Sequence, residues 1–234
     1  MPTPTISVVI PCFREEKRLP GCLDAIVGPA AERGAEVLVV DGGSEDATVA
    51  RAESYRGRGV SVLQAPRGRG SQMNAGAREA RGRYLVFLPA DTLLPAEAWP
   101  LLDGLECPDA PLAGGFRHRF DRDRVGLRMI SRLHDLRARL SGVYYGDQVP
   151  FVRRDLFLAL GGYDPASDME DALFGSRLRR FVTLRTLPAH VTTSARRFDR
   201  FGDLRATAAA AMILGSRTFL RRVPASQIFF DVVR

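Results

Sequence analysis

Lysine is almost absent from this sequence: of 34 basic residues in 234, Lys17 alone is lysine and the rest are arginine. The Gly-rich stretch at residues 67–76 therefore lacks the lysine that a P-loop needs, and that phosphate-binding motif is excluded. Cysteine is scarce as well. Cys12, Cys22 and Cys107 are odd in number and have no metal-ligand spacing, which argues against a disulfide framework or a thiolate metal site and for reduced thiols. No run of about 18 apolar residues occurs, so no spanning helix is expected. The chain passes from "MPTPT" directly into the strand-like Ile6 to Ile10 with no charged leader, and a cytoplasmic location is the expectation. No helix-turn-helix, zinc-finger or stacking-aromatic pattern accompanies the arginines, so no nucleic-acid partner is expected. Repeats, low-complexity tracts and long Gly/Ser linkers are also missing, and a single domain over 1–234 follows.

What is present is unevenly charged. The formal net charge is +7, yet residues 1–116 hold 12 basic and 15 acidic side chains while 117–234 hold 22 and 12. Arginine suits planar recognition of phosphate, so this distribution fits an anionic substrate or an anionic membrane surface.

The first half alternates short apolar runs with helical patterns. Runs at Ile6 to Ile10, Glu36 to Val40, Val60 to Leu63 and Tyr84 to Leu88 enclose helices expected from about Leu19 to Glu32, Asp46 to Tyr55 and Ser71 to Ala80. That alternation predicts an α/β fold with a mostly parallel sheet flanked by helices, and the continuous apolarity of the runs fits strands buried on both faces. Further on, "AGGFRHRF" reads as a strand. Residues 125–140 read as an amphipathic helix with Met129, Ile130, Leu133, Leu136 and Leu140 on one side. Then come a strand-like "QVPFV", a helix from about Met169 to Arg180, a strand near Val182 to Leu187 and a helical segment from about Asp203 to Leu220.

Ligands of open α/β sheets collect at the carboxyl ends of the strands. Here those ends carry acids: Glu15 and Glu16 after the first strand, Asp41 and Asp46 around a Gly-Gly turn after the second, and Asp91 after the fourth. Each also reads as an ordinary loop or cap, Ser44 and Asp46 being good helix starters. The stretch "RGRGSQMNAG" fails as a dinucleotide fingerprint, because Met73 stands where the third glycine belongs and the loop follows the third strand. It remains either a solvated basic loop or a diphosphate site built from Arg67, Arg69 and a helix N-terminus. The acidic run Asp168-Met169-Glu170-Asp171 suits the first turn of a helix, or a proton acceptor for a displacement reaction.

In order and spacing, "PCFREE", "DGGSEDAT", "RGRGSQMNAGAREARG", "FLPADT", "GGYD" and "MEDALFGSRLRR" resemble family 2 glycosyltransferases, in particular a short bacterial subgroup whose strand-four tip reads His-Ala-Asp-Thr. The resemblance runs from Ile6 to about Arg197. It implies a GT-A fold and inverting transfer of a sugar from a UDP- or GDP-sugar, assisted by Mg²⁺ or Mn²⁺. Residues 1–111 would form the nucleotide-sugar-binding half, 112–202 the acceptor and catalytic half, and 203–234 a C-terminal helical segment. By the same resemblance Asp171 would be the catalytic base, with Glu170 orienting or binding the acceptor. Pro11, Phe13, Glu15, Asp41, Gly43, Ser44, Arg67, Arg69, Gln72, Asn74 and Ala90 would line the donor pocket. Asp91 would hold the metal, and His190 stands where this fold often adds another ligand.

The sequence also departs from the pattern. Pro89 replaces the first acid of the Asp-x-Asp metal motif, and "SARRF" is only a distant analogue of the Gln-x-x-Arg-Trp motif of processive synthases, which argues against long-chain polymerisation. One carboxylate suffices if the donor phosphates supply the remaining ligands. A catalytically silent sugar-nucleotide-binding protein is the rival reading. A sugar-1-phosphate nucleotidyltransferase would need glycines directly after the first strand, where Pro11-Cys12-Phe13-Arg14 stands instead. The acceptor is open, with a lipid-linked or anionic one suggested by the C-terminal "DLRATAAAAMILGSRTFLRR" and the basic second half. That segment would make a peripheral membrane contact, pack on the core or pair across a homodimer.

Overall fold

The computed structural model describes residues 4–197. The segment expected as a helix at 203–220, and the membrane or dimer contact attached to it, lie outside the described residues.

Four strands, β1 (Ile6–Cys12), β2 (Glu36–Asp41), β3 (Val60–Gln64) and β4 (Tyr84–Phe87), are joined by helices α1 (Leu19–Glu32), α2 (Thr48–Glu53) and α3 (Arg69–Glu79). All four run parallel in the order β3-β2-β1-β4. The order reverses at β1, whose neighbours are β2 and β4, so a crevice opens at the carboxyl ends of β1 and β4. Alternation along β1 serves two cores. Val8 and Ile10 face α1 and its Leu19, Leu23 and Ile26, while Val9 faces α3 and its Met73 and Ala77. Each fully buried aliphatic side chain of this kind contributes about 1.5–3 kcal/mol. Helix α3 lies so close to β1 that a Cβ on Gly76 would stand 2.4 Å from Val9 Cγ1.

The second half continues the same sheet differently. After β5 (Thr92–Leu93) and α4 (Ala98–Asp103) come β6 (Ala113–Phe120), α5 (Val125–Ser141), β7 (Phe151–Arg153), α6 (Arg154–Ala159), α7 (Glu170–Leu178) and β8 (Arg185–Thr193). The full order is β3-β2-β1-β4-β7-β6-β8-β5. Strand β7 is antiparallel to both β4 and β6, β6 and β8 are parallel, and the short β5 closes antiparallel on β8.

Several expectations shift here. The strand placed near Val182 begins at Arg185 and runs to Thr193, because its partner is the long β6. Within "QVPFV" only Phe151 onward is strand, since Gly146–Gln148 forms a 3₁₀ turn. The apolar side expected for α5 is only partly its buried side, Ile130 being buried and Leu133 half-buried. Met129 (50%), Leu136 (52%) and Leu140 (71%) are exposed, whereas Leu127, Ile130, Ser131, Arg137 and Ala138 are buried. The reason is polar: β6 and the 3₁₀ turn present His118 and Gln148, and α5 turns Ser131 and Arg137 towards them.

Candidate active site

The end of β2 is shaped by Asp41, which is 1% exposed. Its Oδ2 accepts hydrogen bonds from the backbone N–H of Gly43 and of Ser44, both at 2.9 Å, and Gly43 adopts a φ of +85° that favours glycine. Ser44 Oγ in turn accepts from the Arg14 N–H at 2.9 Å, locking the β1 and β2 loops together. Asp46 accepts from the Thr48 N–H and hydroxyl, so it serves the start of α2. Phe13 follows β1 and lies under two guanidinium groups, Arg67 at 4.3 Å and Arg14 at 5.2 Å from its ring centre. An aromatic face and exposed cations at one strand end suit a nucleobase and phosphates.

Two residues expected in the donor pocket are engaged in the scaffold instead. Gln72 is buried and its amide donates to Cys12 O at 2.6 Å and Val40 O at 2.8 Å, tying the ends of β1 and β2. Asn74 exchanges hydrogen bonds with the backbone of Tyr163, donating at 2.8 Å and accepting at 2.9 Å. Both sit on α3, and its packing against β1 directs them into protein.

Beyond β4 the chain turns sharply, the Thr92 N–H donating to Pro89 O at 3.0 Å, and delivers Asp91 to the rim. The Asp91 side chain is 16% exposed and meets Arg196 Nη2 at 3.3 Å; the same nitrogen donates to Glu15 Oε1 at 2.7 Å. Burial opposes the charge of Arg196, but its hydrogen bond to Glu15 and the charges of Glu15 and Asp91 outweigh this and raise its pKa.

A second carboxylate centre lies at the start of α7. Glu170 (2% exposed) and Asp171 (7%) are both met by Arg69: Nε pairs with Glu170, and Nη2 donates to Asp171 Oδ2 at 2.7 Å. The Gly146 N–H donates to the same Oδ2 at 2.9 Å, and a Cβ at Gly146 would lie 2.5 Å from the Arg69 guanidinium. A side chain at this position would displace the Arg69 guanidinium from Asp171. Burial, with the neighbouring Asp171 carboxylate, pushes the Glu170 pKa up against the pull of Arg69. Arg69 is thus placed on the acidic pair rather than among the donor-facing residues. A narrow cleft lined by Pro11, Met73, Phe87, Pro89, Gly146 and Asp171 connects this centre to the ends of β1 and β4.

His190 belongs elsewhere in the fold. It is exposed on β8 in register with Arg117, and its charge bears on Asp135 and His118. Among the described residues no three His, Cys, Asp or Glu side chains converge as a metal site.

The model of the Glycosyl transferase family 2 domain matches residues 7–157, which is more than half of the chain and carries every strand end just described. The chain is a member of glycosyl transferase family 2. Its α/β sheet is the expected one of a GT-A fold. Among curated relatives, a dolichyl-phosphate beta-glucosyltransferase of Drosophila melanogaster is 33% identical over 153 residues, 56% of this chain and 46% of the relative. A dodecaprenyl-phosphate galacturonate synthase of Rhizobium johnstonii is 32% identical over 160 residues, 61% and 45% of the two chains. This family 2 glycosyltransferase spans less than half the length of those curated relatives. In structure it is similar to a mannosyltransferase from Pyrobaculum calidifontis in complex with GDP-Man and Mn²⁺, with a TM-score of 0.66, 18% identity, and 99% and 80% of the two chains covered. It also resembles glucosyl-3-phosphoglycerate synthase from Mycobacterium tuberculosis in complex with Mn²⁺, UDP and phosphoglyceric acid, with a TM-score of 0.61, 20% identity, and 90% and 78% covered.

Two elements of the glycosyltransferase site escaped the sequence reading. Arg196 stood inside "SARRF", where its nearness to Glu15 could not be read across 181 positions. Gly146 stood in the "YGDQ" turn, where a glycine between a helix and a strand was the available signal.

Proposed function

We propose that the chain transfers a sugar, with inversion at the anomeric carbon, from a UDP- or GDP-sugar to an acceptor whose proton is taken by Asp171. The observation that carries this reading is convergence: Pro11 and Pro89, at the ends of β1 and β4 and within four residues of Glu15 and Asp91, line the same cleft as Asp171 at the start of α7. In a single displacement the acceptor oxygen bonds to the anomeric carbon as its proton passes to an Asp171 oxygen, and the bond to the nucleoside diphosphate breaks on the opposite side. Gly146 and Arg69 fix the Asp171 carboxylate, and Glu170 beside it orients the acceptor. The ring of Phe13, the Asp41 loop and Arg67 would take the nucleoside and its phosphates.

The donor set fits a hard divalent ion used together with substrate. Asp91 is a rim carboxylate whose only contact with a cationic side chain recorded among the described residues is Arg196, so Asp91 and the donor phosphates would hold Mg²⁺ or Mn²⁺. A bound ion supplies positive charge to the departing diphosphate. The neighbours in complex with Mn²⁺ and a nucleotide or nucleotide sugar support this assignment.

For the acceptor we infer a lipid-linked or otherwise anionic molecule. The dolichyl- and dodecaprenyl-phosphate relatives support a lipid phosphate. So does α5, where exposed Val125, Met129, Leu136 and Leu140 run beside exposed Arg128, Arg132 and Arg139, a combination suited to an anionic membrane surface. No helix among the described residues is long and apolar enough to cross a membrane.

A thermal-shift screen of UDP- and GDP-sugars with Mn²⁺ or with chelator tests the donor reading, because a ligand stabilises the fold by mass action. Stabilisation by one donor class, dependent on metal and lost in Asp91→Ala, is expected. Equal affinity with metal and with chelator would overturn the metal role. Donor binding without any turnover would favour the silent binding protein.

A further inference from the structure

We propose that Arg196 is an exchangeable counter-cation of the active site: it holds Asp91 and Glu15 in the donor-free chain and passes to the donor's diphosphate when a divalent ion takes Asp91. The inference rests on the reading of Asp91 as the carboxylate that meets the metal.

Three observations carry it. First, the guanidinium bridges two acids from different strand ends, donating from Nη2 to Glu15 Oε1 at 2.7 Å and from Nη1 to Glu15 Oε2 at 3.4 Å, with Nη2 3.3 Å from Asp91 Oδ2. It therefore lies against an Asp91 oxygen for which a cation would compete. A cation and a guanidinium competing for one carboxylate oppose each other directly, at short range and in a partly desolvated setting.

Second, the backbone that carries Arg196 is pinned while its side chain is not packed away. The Ser194 N–H donates to Asp91 O at 3.2 Å and the Ala195 N–H to Asp121 Oδ1 at 2.9 Å, and Ala195 is buried against Leu127 and Ile130. Arg196 itself keeps a side-chain exposure of 34%. A fixed root and a long, partly solvated side chain allow the guanidinium to change partner without moving the chain.

Third, the two arginines on the site's carboxylates differ in the burial of their partners. Arg69, itself 41% exposed, is paired with two acids that are 2% and 7% exposed. Arg196 faces acids that are 14% and 16% exposed at the rim. Once the ion neutralises Asp91, the guanidinium loses one partner and gains the phosphate oxygens beside it, which match its planar fork.

The exchange predicts effects of opposite sign, which a loss of fold cannot produce. Calorimetry with MnCl₂ alone should show tighter binding to Arg196→Gln than to wild type, by about 5- to 10-fold, since the competing charge is gone. Calorimetry with UDP or GDP in saturating Mn²⁺ should show about 10-fold weaker binding to the same variant, the loss of one charge-assisted contact. Arg196→Lys should fall between wild type and Arg196→Gln in both titrations, and Asp91→Asn added to Arg196→Gln should abolish the gain in Mn²⁺ affinity. Unchanged Mn²⁺ affinity in Arg196→Gln would overturn the exchange, as would a parallel fall in both titrations. A wild-type chain that binds neither UDP nor GDP with Mn²⁺ would instead overturn the donor reading and this inference with it.

Discussion

Residues 4–111 and 112–197 share one sheet but are held by different forces. In the first part the strands are walls of apolar side chains, Val8 to Ile10, Val37 to Val40 and Leu85 to Leu88, each within 3% of full burial. In the second, the space between β6 and α5 is filled by polar groups: His118 bonds Ser131 at 3.1 Å, Arg137 donates to Gln148 at 2.8 Å and stacks on Tyr145, and Asp147 lies 3.3 Å from His134. Several of those atoms, His118 Nε2, Arg137 Nε, Asp147 Oδ1 and Gln148 Nε2 among them, have no hydrogen-bond partner among the described residues. Apolar walls fix a scaffold and tolerate little change in volume. A polar interior costs more to bury but orients its members, here the turn that places the Gly146 N–H on the Asp171 carboxylate.

The largest expected effect falls on the chemistry that the second part positions. Asp171→Asn keeps shape but cannot take the proton, so turnover at saturating donor should drop about 10²- to 10⁴-fold with donor affinity near wild type. A variant that keeps its rate would move the base to Glu170 or Asp168. Next comes the scaffold. Ile10→Ala should cost about 2–5 kcal/mol in denaturant unfolding, whereas Leu127→Ala, in a cluster of three buried residues, should cost less. Equal losses would break the contrast between the two parts.

Acid should weaken the polar interior before the apolar one. Burial pushes the His118 pKa down to about 4 from the ordinary 6.5, against the charge of Asp147 and with help from His134, Arg137 and His190. The unfolded chain then binds the proton that the fold refuses, so stability is intact above about pH 6.5 and falls between there and about pH 4. The loss should amount to roughly 2–3 kcal/mol, and His118→Asn should flatten that part of the curve. Asp147, whose pKa is also lowered, contributes to acid loss only below its ordinary value of 3.8, outside this window. A wild-type profile that is flat from 6.5 to 4 would refute the argument. The smallest effect on stability is expected on the outer face of α5: Leu136→Ser with Leu140→Ser should stay within about 0.5 kcal/mol. The same pair should reduce sedimentation with anionic vesicles. A larger stability loss would show that this face is packed, and vesicle binding unchanged by the pair would remove it as the membrane contact.

The same contrast decides what could be read from the sequence. Strands buried on both faces announce themselves as continuous apolar runs, so β1, β2 and α1 emerge with their observed bounds or within two residues of them. The short β5, α4 and α6 have too few residues to show a period. The inner face of α5 misled because its buried members include Ser131 and Arg137, whose partners lie on β6 and in the 146–148 turn. Acids at strand ends were legible as types, but which arginine each one meets was not: Arg69 reaches Asp171 across 102 positions and Arg196 reaches Glu15 across 181.

Those separations bear on how the protein comes into being on the ribosome. The β1–β4 sheet can begin to pack once α3 and β4 have been made, since its pairings use only early residues. The acids of the site, by contrast, receive their arginine partners only when α7 and the Ala195–Arg197 turn have been synthesised and β8 has closed on β5. Long-range closure of this kind is slow relative to local pairing. A nascent chain halted before β8 would therefore carry most of the nucleotide-facing scaffold while Asp91 and Glu15 still lacked Arg196. The pairing of Arg196 with those two acids would be the last part of the site to be completed during synthesis.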